Sequence, residues 1–186
     1  MEEMEVKILD INLEKLRELM KKNNIPLIKK EDQINNIYDF EDRRLLKNKG
    51  YARIREVHNL ITNTEEYYMT VKRMLSQEVF KRMEESETTI ENGDEGKKIF
   101  KALGLVPVEI IKKYRESYKY KNTLIEIDIN SPEIYPHPYL EIETSSKEEF
   151  YEVLDLLGYT EKDTTSKTIY EILKERNIKS TIPEGL

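Results

Sequence analysis

Cysteine is absent from this 186-residue chain and histidine occurs only twice. Without cysteine there can be no disulfide and no thiolate zinc site, which is compatible with a reducing compartment. His58 lies in a predicted loop and reads as ordinary surface, and His137 has proline neighbours and no evident ligand partner, so imidazole metal sites are not expected. No apolar run is long enough to span a bilayer, and the N-terminus lacks the apolar core of a secretory signal. The expectation is a soluble, cytoplasmic protein with no membrane partner. A net charge of -6 argues against a general nucleic-acid binder. No low-complexity linker divides the chain, so residues 1–186 read as a single domain.

What the chain has in quantity is charge, 37% of residues against 38% hydrophobic. Much of it sits in alternating strands. In Glu3-Met4-Glu5-Val6-Lys7-Ile8 the charged side chains share one face and the apolar ones the other, because successive side chains of a strand point in opposite directions. The same style returns in Tyr51-Ala52-Arg53-Ile54-Arg55, in Tyr67 to Arg73 with Thr70 and Lys72 on one face, in Leu124 to Ile129 where Ile125, Ile127 and Ile129 oppose Glu126 and Asp128, and in Tyr139-Leu140-Glu141-Ile142-Glu143. Lys113-Tyr114-Arg115 lies in an extended run opened by Pro107. Met83 to Ile90 alternates more weakly, which leaves the register of Glu85 and Glu87 open.

Helices fall between these strands. Asn12 caps one whose Leu13, Leu16, Leu19 and Met20 recur at helical spacing; Asp94 to Leu103 forms another, stopped by Gly104. Ser146 and Glu149 make a capping box for a helix through Leu157 with Gly158 as its stop, and a last helix covers about Thr165 to Arg176. A strand is expected around Asn35 to Phe40, a turn at Lys47 to Gly50, and a hairpin loop from Glu56 to Glu66. This is an α+β pattern of antiparallel strands with outer helices.

Two arrangements accommodate the charged faces: the solvated outside of an antiparallel sheet, or the lining of a sheet closed on itself. Clustering by type, with paired Glu on some strands and paired Arg or Lys on others, favours a charged lumen. Paired carboxylates there suit hard divalent cations such as Mg²⁺ or Mn²⁺. Arg offers a planar fork to phosphate oxygens and Lys a point charge. Together they suit a polyphosphate, whose charge both neutralise during transfer.

The ordered set of motifs resembles the CYTH family, or triphosphate tunnel metalloenzymes, which includes class IV adenylyl cyclases, thiamine triphosphatases and tripolyphosphatases. Glu3-x-Glu5-x-Lys7 is similar to its opening ExExK signature, Tyr38-Asp39 to its Tyr and Asp after the first helix, and Arg53-Ile54-Arg55 to its R-I-R strand. Thr70-Val71-Lys72 resembles its T-x-K strand, Lys113-x-Arg115-x-x-Tyr118 its K-x-R-x-x-Y segment, and Asp128 with Glu141-Ile142-Glu143 its late acidic strands. The strand near Glu85 departs from the family's Arg-x-Glu-x-Glu pattern, and the loop Asn130 to Pro138 replaces the Leu-Gly turn of the cyclases.

The resemblance implies a closed eight-stranded antiparallel β-barrel with a charged lumen and helices packed outside. It implies that Lys7, Arg53, Arg55, Lys72, Lys113 and Arg115 bind a triphosphate. Glu3, Glu5, Glu141 and Glu143, joined by Asp128, would hold Mg²⁺ or Mn²⁺. The first functional expectation is a metal-dependent triphosphatase acting on tripolyphosphate, thiamine triphosphate or ATP, with Lys72, assisted by Tyr38, as the base. The alternative is a class IV adenylyl cyclase; a non-catalytic polyphosphate-binding module is the third. The last helix and the proline loop are candidate contact surfaces for a homodimer.

Overall fold

The computed structural model describes residues 2–178, less the side chains of Glu2 and Glu3. Strands β1 (Glu2–Ile8), β2 (Leu27–Asp39), β3 (Tyr51–Asn59), β4 (Thr64–Gln77), β5 (Lys81–Ile90), β6 (Val106–Tyr120), β7 (Thr123–Asn130) and β8 (Tyr139–Thr144) pair in the order β5-β4-β3-β2-β6-β7-β8-β1. Strand β1 then pairs back onto β5, with Glu5 opposite Lys81, and the barrel is closed. Every neighbouring pair is antiparallel. Closure removes the unpaired edges an open sheet would present. A two-residue strand β9 (Thr164–Thr165) adds to the end of β1.

The apolar core lies outside this barrel. Met4, Val6 and Ile8 of β1, Ile125 and Ile127 of β7, and Leu140 and Ile142 of β8 are buried against helix α1 (Leu13–Lys22) and helix α4 (Lys147–Leu157). Leu16 and Met20 come from the first helix, Phe150, Val153, Leu154 and Leu157 from the second. Each such side chain contributes about 1.5–3 kcal/mol on burial. Asn12 and Ser146 cap the two helices by accepting from the backbone N–H of Lys15 and Glu149. Gly158, at φ +75°, ends the latter in a conformation that other residues adopt only with strain. Helix α3 (Gly93–Ala102) covers a second wall formed by Ala52 and Ile54, with Phe100 and Leu105 completing the cluster. Because the helices claim the apolar faces, the charged faces point into the lumen.

Several elements differ from their sequence expectations. Strand β2 begins at Leu27 rather than Asn35, and a short helix α2 (Arg44–Lys47) precedes Gly50. The Asp39 carboxylate accepts from the N–H groups of Leu45 and Leu46, so Asp39 holds that turn in place. The hairpin loop expected from Glu56 to Glu66 is shorter, residues 60–63: β3 runs on to Asn59 and β4 starts at Thr64, and His58 lies opposite Glu65 in the ladder with their side chains 2.6 Å apart. Polar residues on both faces had masked the alternation. The last helix, α5 (Ile169–Glu175), starts later than its periodicity suggested because Thr168 and Glu171 form the capping box. Among the described residues no helix is long and apolar enough to cross a membrane.

Candidate functional site

Alternation along each strand fixes what faces the lumen. Glu5 and Lys7 enter from β1, Arg53 and Arg55 from β3, Thr70 and Lys72 from β4, and Lys81, Glu85 and Glu87 from β5. Lys113 and Arg115 come from β6, Glu126 and Asp128 from β7, and Glu141 and Glu143 from β8. Their neighbours in sequence, such as Val6, Ile54, Ile127 and Ile142, are at most 1% exposed on the opposite, helix-covered side.

The lining is knitted into ion pairs of both signs. Arg115 is the densest node: Nε and Nη2 donate to Asp128 Oδ1 and Oδ2, both at 2.6 Å, Nη2 donates to Glu141 at 2.7 Å, and Nη1 pairs with Glu126. Asp128 also takes Lys113 at 2.7 Å, so both its oxygens are committed to cations. Lys7 bridges Glu5 and Glu141, the latter at 3.0 Å, and Lys81 shares Glu5 at 2.7 Å. On the facing wall Lys72 pairs with Glu85 at 2.7 Å, while Arg53, Arg55 and Thr70 converge on Glu87 at 3.2, 2.9 and 2.6 Å. Burying isolated charges would be prohibitive, and mixed signs relieve that cost. Pairing is nonetheless incomplete: among the described residues the buried Nε atoms of Arg53 and Arg55, and Oε1 of Gln33, have no partner.

Burial and neighbouring charge compete at each of these groups. Burial alone would raise the Glu5 carboxyl, but the ammoniums of Lys7 and Lys81 outweigh it and hold it at about 2. Glu141 is likewise held well below the carboxylate range against its own burial, by Lys7, Lys113 and Arg115. The Lys81 ammonium is shifted down, because burial, assisted by Lys7, exceeds the support from Glu5. Burial also lowers Arg55, with Arg53 adding to the effect.

The two ends of the lumen are unlike. At the end where β1 finishes and β3 starts, β9 and α5 fold across the opening. Ile172 and Leu173 pack with Ile111, Tyr135 and Tyr139, and Gln77 donates to Ser166 O and to Glu171. Towards the other end lies a cavity of about 30 Å³ lined by Glu31, Gln33, Arg55, Tyr68, Arg115, Ser117 and Glu126.

Most of the sequence-predicted residues meet in this lumen. Tyr38 does not: it is on the outer face of β2, buried with Ala52 and Ile54 and stacked edge-on against Phe100 at 5.4 Å. It stands at a position one out of phase with the lumen-facing Asn35 and Ile37, so motif adjacency misplaced it. The side chain of Glu3 lies outside the described residues; its Cα is opposite Met83. Sequence reading missed Lys81, which belongs to β5 two residues ahead of Met83 and shares its face. It left Glu85 and Glu87 unassigned, and it did not place Glu126 in the site. Alternation counted back from Glu87 through Glu85 would have reached Lys81.

Carboxylates oppose one another on neighbouring strands at the β1–β8 and β7–β8 ladders. Glu5 of β1 is directly opposite Glu143 of β8, and Glu141 is the next lumen-facing position on that strand. Like charges at opposed positions repel, and a cation between carboxylate oxygens reverses the sign of that interaction. Among the described residues, no three carboxylate or imidazole side chains converge on a single cation position.

The CYTH domain model matches residues 1–169. The chain is 32% identical over 176 residues to a Methanocaldococcus jannaschii protein named "Putative adenylate cyclase", a match covering 95% of this chain and 89% of that one. Among solved structures it resembles a conserved hypothetical protein from Pyrococcus furiosus, with 27% identity, a TM-score of 0.72, and 91% and 98% of the two chains covered. It also shares its fold with a Hippeastrum protein described as a "Putative adenylyl cyclase" with a dominant triphosphatase activity, at 13% identity, a TM-score of 0.67, and coverage of 98% and 97%. The closed barrel, its charged lining and the match over residues 1–169 together place this chain in the CYTH domain family.

Proposed function

We propose that the chain is a divalent-metal-dependent triphosphatase that binds a triphosphate in the lumen and hydrolyses its terminal phosphate. The observation that carries this reading is the convergence of Lys7, Arg53, Arg55, Lys72, Lys81, Lys113 and Arg115 on one closed lumen, with the Nε donors of Arg53 and Arg55 buried and unpaired among the described residues. Such donors suit phosphoryl oxygens. Mg²⁺ or Mn²⁺ would be held by Glu5, Glu141 and Glu143, with Glu3, and supplies charge neutralisation at the phosphate oxygens. Asp128 is assigned a positioning role, since both its oxygens fix Arg115 and Lys113 before any substrate arrives.

In this reading Arg115, Lys113, Arg53 and Arg55 hold the phosphate chain. Lys72 first passes its ammonium proton to the Glu85 carboxylate 2.7 Å away, and the free amine then accepts the proton of the attacking water. The water oxygen bonds the terminal phosphorus, and the bridging P–O bond breaks with its electron pair staying on the departing diphosphate. Full activity in Lys72→Ala at saturating metal would remove that role. A second reading, class IV adenylyl cyclase, is supported by the name of the 32% identical archaeal relative. The same lining serves it, with the ribose 3′-hydroxyl as nucleophile at the α-phosphate. Incubation with Mg²⁺ or Mn²⁺ and tripolyphosphate, thiamine triphosphate or ATP, resolved by phosphorus NMR, separates the two. Orthophosphate identifies the hydrolase, and cyclic AMP with pyrophosphate the cyclase.

A further inference from the structure

We propose that Tyr51 is a substrate contact of the lumen, its hydroxyl donating a hydrogen bond to a phosphoryl oxygen held beside Lys72 and Arg53. The assignment rests on the lumen being a triphosphate site, and it names a neutral donor within that site.

Tyr51, Arg53 and Arg55 share one face of β3, since Ala52 and Ile54 between them are buried on the other side. Across the β3–β4 ladder Tyr51 is directly opposite Lys72, which sets their Cβ atoms about 5 Å apart. The Arg53 guanidinium carbon lies 5.8 Å from the ring centroid. The phenol is thus fixed among cations on the wall that carries the proposed base.

Nearby tyrosines have acceptors for their hydroxyls. Tyr68 donates to Glu66, and Tyr170 to Glu109 at 2.5 Å. The Tyr51 hydroxyl makes no hydrogen bond among the described residues. Packing alone would be satisfied by phenylalanine, so a hydroxyl without an acceptor in a ring of cations is matched to an anion that the site receives. Burial would raise the phenol, yet Arg53, Lys72 and Lys81 outweigh it and bring it below the ordinary tyrosine range, which strengthens it as a donor. Tyr51 therefore does for a phosphoryl oxygen what Tyr38, walled off on the outer face, cannot.

The test compares wild type with Tyr51→Phe, which keeps the ring over Arg53 and removes only the hydroxyl. Tripolyphosphate binding is titrated by calorimetry with a chelator present to suppress turnover. A hydrogen bond to a charged acceptor is worth about tenfold to a hundredfold in affinity, and that weakening is the expected result. With Mg²⁺ restored, the same factor is expected in kcat/KM. It falls on KM alone if the bond is equal in ground and transition states, and on kcat if it tightens during transfer. Equal melting temperatures for the two proteins would show that the loss is not a folding defect. Binding within twofold of wild type would overturn the assignment of Tyr51 while leaving the triphosphate reading intact. No tripolyphosphate binding by wild type would overturn both.

Discussion

Replacing Arg115 with methionine withdraws the cation on which three carboxylates converge. Methionine is close in length to the apolar stem it replaces, so the loss is one of charge and hydrogen bonds more than of packing. Asp128, Glu126 and Glu141 have side chains only 0%, 7% and 14% exposed, and water cannot easily take the place of the guanidinium. Breaking a buried ion pair by removing one partner costs about 3–5 kcal/mol, because the stranded charge stays desolvated. Here Lys113 remains on Asp128 and Lys7 on Glu141, which puts the expectation at the lower end, about 3 kcal/mol. For a chain of this size each kcal/mol moves the melting midpoint by about 2–4 °C, so Arg115→Met should melt about 6–12 °C below wild type. Urea and thermal denaturation should be run without metal or triphosphate, since either ligand would add its own stabilisation. The double variant Arg115→Met with Glu126→Gln should recover part of the loss, because Glu126 makes no other ion pair among the described residues and the amide needs no counter-charge. A single-variant loss below about 1 kcal/mol, or a double variant less stable than the single, would refute this account of the node.

Three further outcomes are expected. Burial alone would raise the Glu171 carboxyl, but hydrogen bonds from the Thr168 backbone and side chain, Gln77 and Lys49 hold it at about 2. Its contribution is therefore present above the unfolded carboxylate range and lost as pH falls from about 4.5 to about 2. Glu171→Gln should flatten the pH dependence of unfolding free energy in that window, and an unchanged slope would count against the contact network. A Cβ on Gly50 would lie 2.5 Å from the backbone oxygen of Lys72. Gly50→Ala should consequently cost about 1–3 kcal/mol in urea unfolding, and a neutral substitution would show that the β3–β4 edge yields freely. Lys81→Met removes a lumen cation bound to Glu5, so KM for tripolyphosphate should rise severalfold in steady-state assays; an unchanged KM would place Lys81 in a purely structural pair.

Much of this fold could be read from the chain because strand alternation is a local property. Any residue of Glu3 to Ile8 or Leu124 to Ile129 announces its face through its neighbours, and caps such as Asn12 and Ser146 announce helix starts within a single turn. Alternation cannot say which face is inside. That was decided by the helices, whose buried stripes claim Val6, Ile127 and Ile142 and leave Glu5, Asp128 and Glu141 for the lumen. Register was a second nonlocal decision. Only the β1–β5 closure sets Lys81 against Glu5, and only the β3–β4 ladder sets Tyr51 against Lys72.

Tyr38 and Asp128 mark the boundary between the two kinds of information. Their residue types suited catalysis and metal binding, but one strand position of phase turns Tyr38 into the outer core, and Arg115 with Lys113 takes up both oxygens of Asp128. By itself the sequence determined the strands, the helix caps and the two charge sets, because these follow from the spacing of neighbouring side chains. Tertiary structure alone decided which charges meet, since a salt bridge depends on distances between strands that the chain brings together only when the barrel closes.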